Sequence, residues 1–115
     1  MLKYNGILII RVIIMRIEQL QYFVEIVNSG SINAASKKLF ISPQGISNAL
    51  SSFESELGFP LFTRVKNKLI LTENGKTVYK NAIPLLNQYD NLKKLTKTIY
   101  ETGAVQKKYP LWLLL

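Results

Sequence analysis

The segment from Ser42 to Gly58 constrains the fold more than any other, because it carries the signals for both ends of a helix. Ser42 can cap free amide groups, and Pro43 stands at the first helical position, where a missing N–H is tolerated. Gly58 suits the left-handed conformation that ends a helix. Between these signals, apolar residues recur at helical spacing: Ile46, Ala49, Leu50, Phe53 and Leu57. The segment therefore predicts a capped amphipathic helix.

The opposite face of this helix is polar but uncharged. Its members repeat at i, i+3, i+4 and i+7 and carry only small or amide side chains: Gln44, Ser47, Asn48 and Ser51. Short side chains let a helix backbone approach a surface closely, and we expect that surface to be the major groove of DNA. Many helices without a binding role share such a face, so the neighbouring segments are needed to judge whether this helix binds DNA.

Composition excludes several kinds of site. The 115 residues include no cysteine and no histidine, which rules out disulfides, thiolate or imidazole metal sites, and Cys or His nucleophiles. Glu54 and Glu56 lie two residues apart on different helix faces, and the sequence contains no phosphate-binding loop. We therefore expect no enzyme activity, no cofactor and no metal. The lack of cysteine suits a cytoplasmic protein, which is the localisation we expect.

Basic and acidic residues are segregated along the chain. The net charge is +8, yet between residues 16 and 75 six bases minus five acids leave only +1. The bases of this segment cluster in two places, at Lys37 and Lys38 and at Arg64, Lys66 and Lys68. Segregated charge on a small domain suggests a face for a polyanion. Taken alone, however, the charge is explained better by an ordinary solvated surface.

Two helices are predicted before Ser42. The first is amphipathic and ends at Gly30, with an inward stripe of Ile17, Leu20, Phe23, Val24 and Val27. The second is capped by Ser31 and runs from Ile32 to Phe40, with Ala34, Ala35 and Leu39 inward. A tight turn then leads into the Ser42 helix, so the pair forms a helix-turn-helix, in which the second helix reads DNA. Gly45 stands where a Cβ could obstruct the neighbouring helix, or is simply a weak helical position.

A hairpin and a long helix are predicted after Gly58. Two β-prone runs, Leu61–Arg64 and Leu69–Leu71, flank a basic turn at Val65–Lys68. Thr72 caps the long helix, and Pro84 should kink it. A seven-residue repeat predicts pairing with a second helix, hence a dimer: Val78, Ala82, Leu85, Tyr89, Leu92, Thr96 and Ile99. Packing on its own domain is a serious alternative for the first two of these residues.

The two ends of the chain break the pattern. Residues 1–14 hold an apolar run from Ile7 to Ile14 that Arg11 interrupts, far shorter than the roughly 20 residues that span a bilayer. We expect no membrane association, and we expect Met15 to be the functional start, with residues 1–14 a leader. Residues 103–115 form an apolar tail that either packs on the long helix or marks a truncation.

The order of these features resembles the N-terminal winged helix-turn-helix domain of LysR-type transcriptional regulators. The resemblance covers Met15 to about Ile99. The residues that carry it are Leu20, Tyr22, Phe23, Gly30, Ser31, Ala34, Ala35, Leu39, Ser42, Ile46, Ser47, Phe53, Glu54, Leu57, Gly58, Leu61, Phe62, Arg64, Leu71, Thr72, Glu73 and Gly75. It implies a mainly α fold: three helices and a β-hairpin wing over residues 15–72, followed by a linker or dimerisation helix over residues 73–102.

The resemblance also implies a homodimer that binds a pseudo-palindromic operator in double-stranded DNA. Base contacts would come from Pro43, Gln44, Ser47, Asn48 and Ser51, and backbone contacts from Lys37, Lys38, Ser42, Arg64, Lys66 and Lys68. This sequence departs from the family pattern in reversing a Gln-Pro pair to Pro43-Gln44 and in placing Asn48 where an arginine is common. Asparagine favours adenine edges where arginine favours guanine, so the operator preference should differ.

The family's effector-binding domain has no counterpart here. Nothing after Gly103 is long enough to form its two lobes, so we expect no small-molecule effector site in this chain. Two alternatives follow from that absence. The chain could be a truncated interaction protein that heterodimerises with full-length relatives, or a remnant without an independent function.

Overall fold

The computed structural model describes the backbone of residues 2–4 and 7–9, and residues 15–103 completely. In chain order its elements are β1 (Leu2–Tyr4), β2 (Ile7–Ile9), α1 (Ile17–Ser29), α2 (Ile32–Leu39), α3 (Pro43–Leu57), β3 (Phe62–Val65), β4 (Lys68–Leu71) and α4 (Glu73–Glu101). The chain divides into two compact units, residues 1–83 and 84–115. The prediction of a mainly α fold with three helices, a wing and a long helix is confirmed.

The ends of the first three helices lie at or next to the residues that the sequence indicates. Ser42 Oγ accepts a hydrogen bond from Gly45 N at 3.0 Å, and Ser31 Oγ accepts one from Ala34 N at 3.0 Å. Gly30 and Gly58 end their helices at φ +90° and +87°, where a Cβ would be strained. Capping hydrogen bonds and left-handed glycines, both local features, thus mark these helix ends.

The core of the first unit lies where α1 meets α3 and the wing, which we define as β3, β4 and the turn between them. Its largest fully buried side chains are Phe23, Phe53, Ile26, Ile46 and Leu61. The ring of Phe23 makes edge contacts with Phe62 at 5.5 Å and with Tyr79 at 6.3 Å between centroids. The predicted stripe of α1 omitted Ile26, which is buried, and included Val27, which is only half-buried. The difference arises because α1 packs against both α2 and α3, so its buried face is wider than a single stripe.

The wing begins one residue later than predicted, because both backbone groups of Leu61 are engaged outside the sheet. Its N–H donates to Glu54 Oε2 at 2.6 Å, and its carbonyl accepts from Thr72 N at 3.0 Å. Phe62 therefore starts β3 and pairs with Leu71. The two turn residues, Lys66 and Asn67, have φ of +50° and +65°, as two-residue hairpin turns require.

The first turns of α4 belong to the first unit and pack on its other elements. Thr72 Oγ1 accepts from Gly75 N at 2.9 Å and donates to Pro60 O at 2.8 Å. Tyr79 Oη donates to Asn28 Oδ1 at 2.6 Å, and Ala82 is only 3 % exposed. For Ala82, this burial within one chain favours the alternative of packing on its own domain.

The second unit, described from residue 84 to residue 103, is the remainder of α4. Pro84 lies inside the helix, which continues through it. Large apolar side chains remain at least a third exposed along this unit: Leu85, Leu92, Leu95, Ile99 and Tyr100. Leu95 was not part of the predicted seven-residue repeat.

Two segments of the leader, for which no secondary structure is predicted from sequence, pair as antiparallel strands, with Leu2 opposite Ile9 and Tyr4 opposite Ile7. The rest of the leader lies outside the described residues. The apolar tail beyond Gly103 lies outside them as well. Within the described part of the chain, the helices are too short or too polar to cross a membrane.

The close packing of the start of α4 against Leu61 can be tested at Gly75. A Cβ built on Gly75 would lie 2.1 Å from the carbonyl oxygen of Leu61, a separation that atoms cannot adopt. Helix propensity alone predicts that Gly75→Ala stabilises the protein by about 1 kcal/mol, whereas a clash of this kind destabilises it by about 1–3 kcal/mol or more. We expect the second result in urea unfolding. Asn74→Ala, at the adjacent exposed position, is the control and should change stability little.

Candidate nucleic-acid interface

An open cleft of 680 Å³ lies between the N-terminal ends of α2 and α3 and the wing. It brings together five of the residues predicted to contact DNA: Pro43, Gln44, Ser47, Arg64 and Lys68. Residues distant in the chain thus share one surface. Most of its lining residues carry a polar or cationic side chain, although apolar atoms also contribute to its walls.

Two helix N-termini open into this cleft. The first turns of α2 and α3 contribute Ser31, Asn33 and Pro43, and helix N-termini carry a partial positive charge and free N–H groups. Arg64 and Lys68 add full positive charges from the wing. Among the described lining residues the two charged side chains are thus both cationic, which favours an anion.

Several residues that line the cleft were not among the predicted DNA contacts. Ser31, Asn33 and Asn67 line the cleft alongside Gly30, Ile32 and Leu69. Ser31 was identified only as a helix cap and Asn67 only as part of a turn. Their positions in the chain could have identified them, because in this fold the start of α2 and the tip of the wing lie beside the start of α3.

The polar face of α3 is open to solvent. Gln44, Asn48 and Ser51 are exposed and Ser47 is half-buried, while the opposite face is buried at Ile46, Leu50, Phe53 and Leu57. Gln44 Nε2 donates a hydrogen bond to Asn48 Oδ1 at 2.9 Å, so the orientation of each amide depends on the other. Asn48 and Ser51 lie on α3 but outside the lining of the cleft.

The remaining predicted backbone contacts lie around the cleft. Lys37 and Lys38 are exposed in the last turn of α2, Lys66 is exposed at the tip of the wing, and none of the three lines the cleft. Ser42 is exposed at the start of α3, where its Oγ already caps the helix. The described residues thus place cations both inside the cleft and beyond its rim.

Gly45 has a different role from the one predicted. A Cβ on Gly45 would meet Ile41 Cγ2 and Ser42 Oγ, each at 3.1 Å, and not a neighbouring helix. Both atoms belong to the turn before α3. The missing side chain therefore leaves room for the turn and its cap.

Glu54 holds the wing beside α3. Its carboxylate accepts hydrogen bonds from Leu61 N at 2.6 Å and Phe62 N at 3.2 Å, at the point where the chain enters β3. Two residues later, Glu56 accepts from Gln19 Nε2 at 3.0 Å and so links α3 to α1. Both carboxylates of α3 are therefore engaged in holding elements of the first unit together.

The comparisons with known proteins agree with this arrangement. The family model described as bacterial regulatory helix-turn-helix protein, lysR family, matches residues 17–76. The chain belongs to this family. It is 36% identical over 90 residues to YeiE of Escherichia coli K12, described as an uncharacterized HTH-type transcriptional regulator, and 35% identical over 85 residues to the regulator DgcR of a Pseudoalteromonas species.

These LysR-family relatives are longer than the chain. The matched segments cover 78% of this chain and 30% of YeiE, and 74% of this chain and 29% of DgcR. The chain thus spans about three tenths of the length of these curated relatives and carries the N-terminal, DNA-binding part of a LysR regulator. The family is one of transcription regulators and not of enzymes.

Solved LysR-family structures share the fold. The complex of the BenM DBD with catB site 1 DNA superposes with a TM-score of 0.70 at 34% identity and covers 75% of this chain and 96% of the BenM chain. The CbnR DBD–DNA complex gives 0.66 at 26% identity and covers 75% of this chain and 99% of the CbnR chain. The mainly helical, winged arrangement of residues 15–103 is therefore that of LysR-family DBDs.

Glu54→Gln tests the link between α3 and the wing. A neutral amide keeps one acceptor oxygen but loses the charge that strengthens both hydrogen bonds, so we expect a loss of about 1–2 kcal/mol in the free energy of unfolding. Urea denaturation measures it. Glu101→Gln, an exposed carboxylate at the end of α4, should change stability by less than about 0.5 kcal/mol. Equal effects of the two substitutions would contradict the assigned role of Glu54.

Proposed function

We propose that this chain binds specific sequences in double-stranded DNA as the dimeric DNA-binding part of a LysR-type transcriptional regulator. The observation that carries the proposal is the exposed, uncharged polar face of α3 beside a cleft whose charged side chains are all cationic. A helix with this face can enter the major groove, while the cations contact phosphates on either side. The DNA complexes of the BenM and CbnR DBDs support the proposal.

Base readout is assigned to one face of α3. The members of this face are Pro43, Gln44, Ser47, Asn48 and Ser51. Amide side chains can form paired hydrogen bonds to adenine, and hydroxyls can bond to several base edges. The amide of Asn48 should favour adenine, whereas an arginine at the same position would favour guanine.

Phosphate contacts are assigned to the surrounding cations. Arg64 and Lys68 line the cleft, and the other positions lie around it: Lys37, Lys38, Ser42 and Lys66. Each neutralised phosphate releases counterions, so these contacts make binding depend on salt without contributing sequence preference. Residues 15–72 would then act as the winged helix-turn-helix domain, with residues 73–102 as the helix that joins two copies.

The proposed homodimer forms through α4 beyond the first unit. Leu85, Leu92 and Ile99 are exposed at the repeat spacing of a helix pair, and Tyr89 and Thr96 continue the same repeat. Such a line of exposed apolar side chains is unfavourable in water unless another surface covers it. The predicted repeat also includes Val78, which is half-buried, and Ala82, which is already buried within one chain, so the exposed part of the repeat begins at Leu85.

Selection of bound duplexes from a random DNA pool tests this function. A dimer with two equivalent α3 helices should enrich an inverted repeat, because each subunit reads one half-site. Enrichment of single half-sites would support base readout but contradict the dimer. No enrichment at low salt would contradict the proposal and favour a heterodimerising fragment or a remnant.

Two substitutions separate base readout from phosphate binding. Asn48→Ala should weaken binding to the selected sequence by about 1–3 kcal/mol for each half-site and leave binding to random duplexes unchanged. Lys66→Ala should weaken binding to every duplex alike and reduce the slope of log K against log salt by about 2, one phosphate contact for each subunit. Equilibrium titrations at several salt concentrations measure both. An equal loss on selected and random duplexes for Asn48→Ala would contradict its assignment.

A further inference from the structure

The joined amides of Gln44 and Asn48 bear on how α3 reads DNA. The two residues are four positions apart, which corresponds to about 6 Å along a helix axis, and neighbouring base pairs are about 3.4 Å apart. Independent side chains at this spacing could address two different base pairs. Here Gln44 Nε2 lies 2.9 Å from Asn48 Oδ1, so the amides converge on one place. A converged pair is suited to a single base pair.

The remaining donors and acceptors of Asn48 match one base. Its Oδ1 accepts from Gln44 with one lone pair, which leaves the second lone pair and the two Nδ2 protons free to bind a base. In the major groove, adenine offers N7 as an acceptor and N6 as a donor side by side. An asparagine amide satisfies both when its plane is held correctly. The terminal torsion of asparagine is broad, so an unsupported amide would adopt that orientation only part of the time.

We propose that Gln44 is a positioning residue that holds the Asn48 amide for paired hydrogen bonds to one adenine. The two residues then read a single base pair as a unit. This inference rests on the proposed function, since it assumes that α3 enters the major groove. It differs from that proposal in assigning Gln44 to Asn48 and not to a base pair of its own.

The same hydrogen bond could serve only to stabilise the helix, since amide pairs at this spacing support isolated helices. A purely structural role has a different consequence. Loss of the bond would then weaken α3 and lower the affinity for all duplexes together, without changing which base is preferred. The base preference at one operator position is therefore the decisive measurement.

The experiment compares four proteins by selection from a random DNA pool: the full chain, Gln44→Met, Asn48→Ala and the double variant. Methionine keeps the length of glutamine but cannot donate a hydrogen bond. We expect both single variants to lose adenine preference at the same operator position. Asn48→Ala should lose roughly tenfold, from the usual strength of a paired contact. Gln44→Met should lose roughly threefold, because an unsupported Asn48 amide still adopts the required orientation part of the time. The double variant should then be no worse than Asn48→Ala.

Two further variants sharpen the comparison. Gln44→Glu can only accept from Asn48, so it should turn the amide around and shift the base preference more than Gln44→Met does. Gln88→Met makes the same chemical change at an exposed position of α4 and should leave the selected sequence unaltered.

Each remaining outcome overturns the inference. If the full chain enriches a sequence but Gln44→Met and Asn48→Ala alter different positions, or their losses add in the double variant, Gln44 reads its own base and only the inference fails. If Gln44→Met lowers all affinities equally, the bond is structural. If the full chain enriches nothing, the proposed function fails and the inference fails with it.

Discussion

The hydrogen bonds of the peptide groups around Leu61 hold α3, the wing and the start of α4 together in the first unit. Glu54 accepts the N–H of Leu61 from α3, Thr72 donates to its carbonyl from the start of α4, and the side chain itself is fully buried. Gly75 passes so close to that carbonyl that no Cβ could be accommodated. Three elements are thus held by one residue whose polar groups are all satisfied and whose apolar group fills the core.

This arrangement also creates the candidate interface. Because Glu54 ties the base of β3 to α3, Arg64 and Lys68 come to line the same cleft as the first turn of α3. Among the described residues that line the cleft none is acidic, and the carboxylates of Glu54 and Glu56 are engaged elsewhere within the unit. The contacts that stabilise the fold thus also place the cationic wing beside the uncharged polar face of α3.

The features predicted correctly are local ones. Ser42, Ser31 and Gly58 act within one helical turn of where they stand, so the chain around them suffices to specify each helix end. The role of Glu54 depends on the backbone N–H groups of Leu61 and Phe62, seven and eight positions away, where the chain enters the wing. The surroundings of Gly45 were predicted wrongly, because its contacts belong to the preceding turn and not to a second helix.

By itself, the sequence determined where the helices and the wing lie, which face of α3 is polar, and which family the chain resembles, since each depends on short-range spacing or on residue identity. Only the tertiary structure decided which positions of α4 belong to the first unit's core. Ala82 and Leu85 stand in one apolar repeat, yet the first is buried and the second exposed. Periodicity shows that a face is apolar, whereas what covers that face depends on contacts between segments distant in the chain.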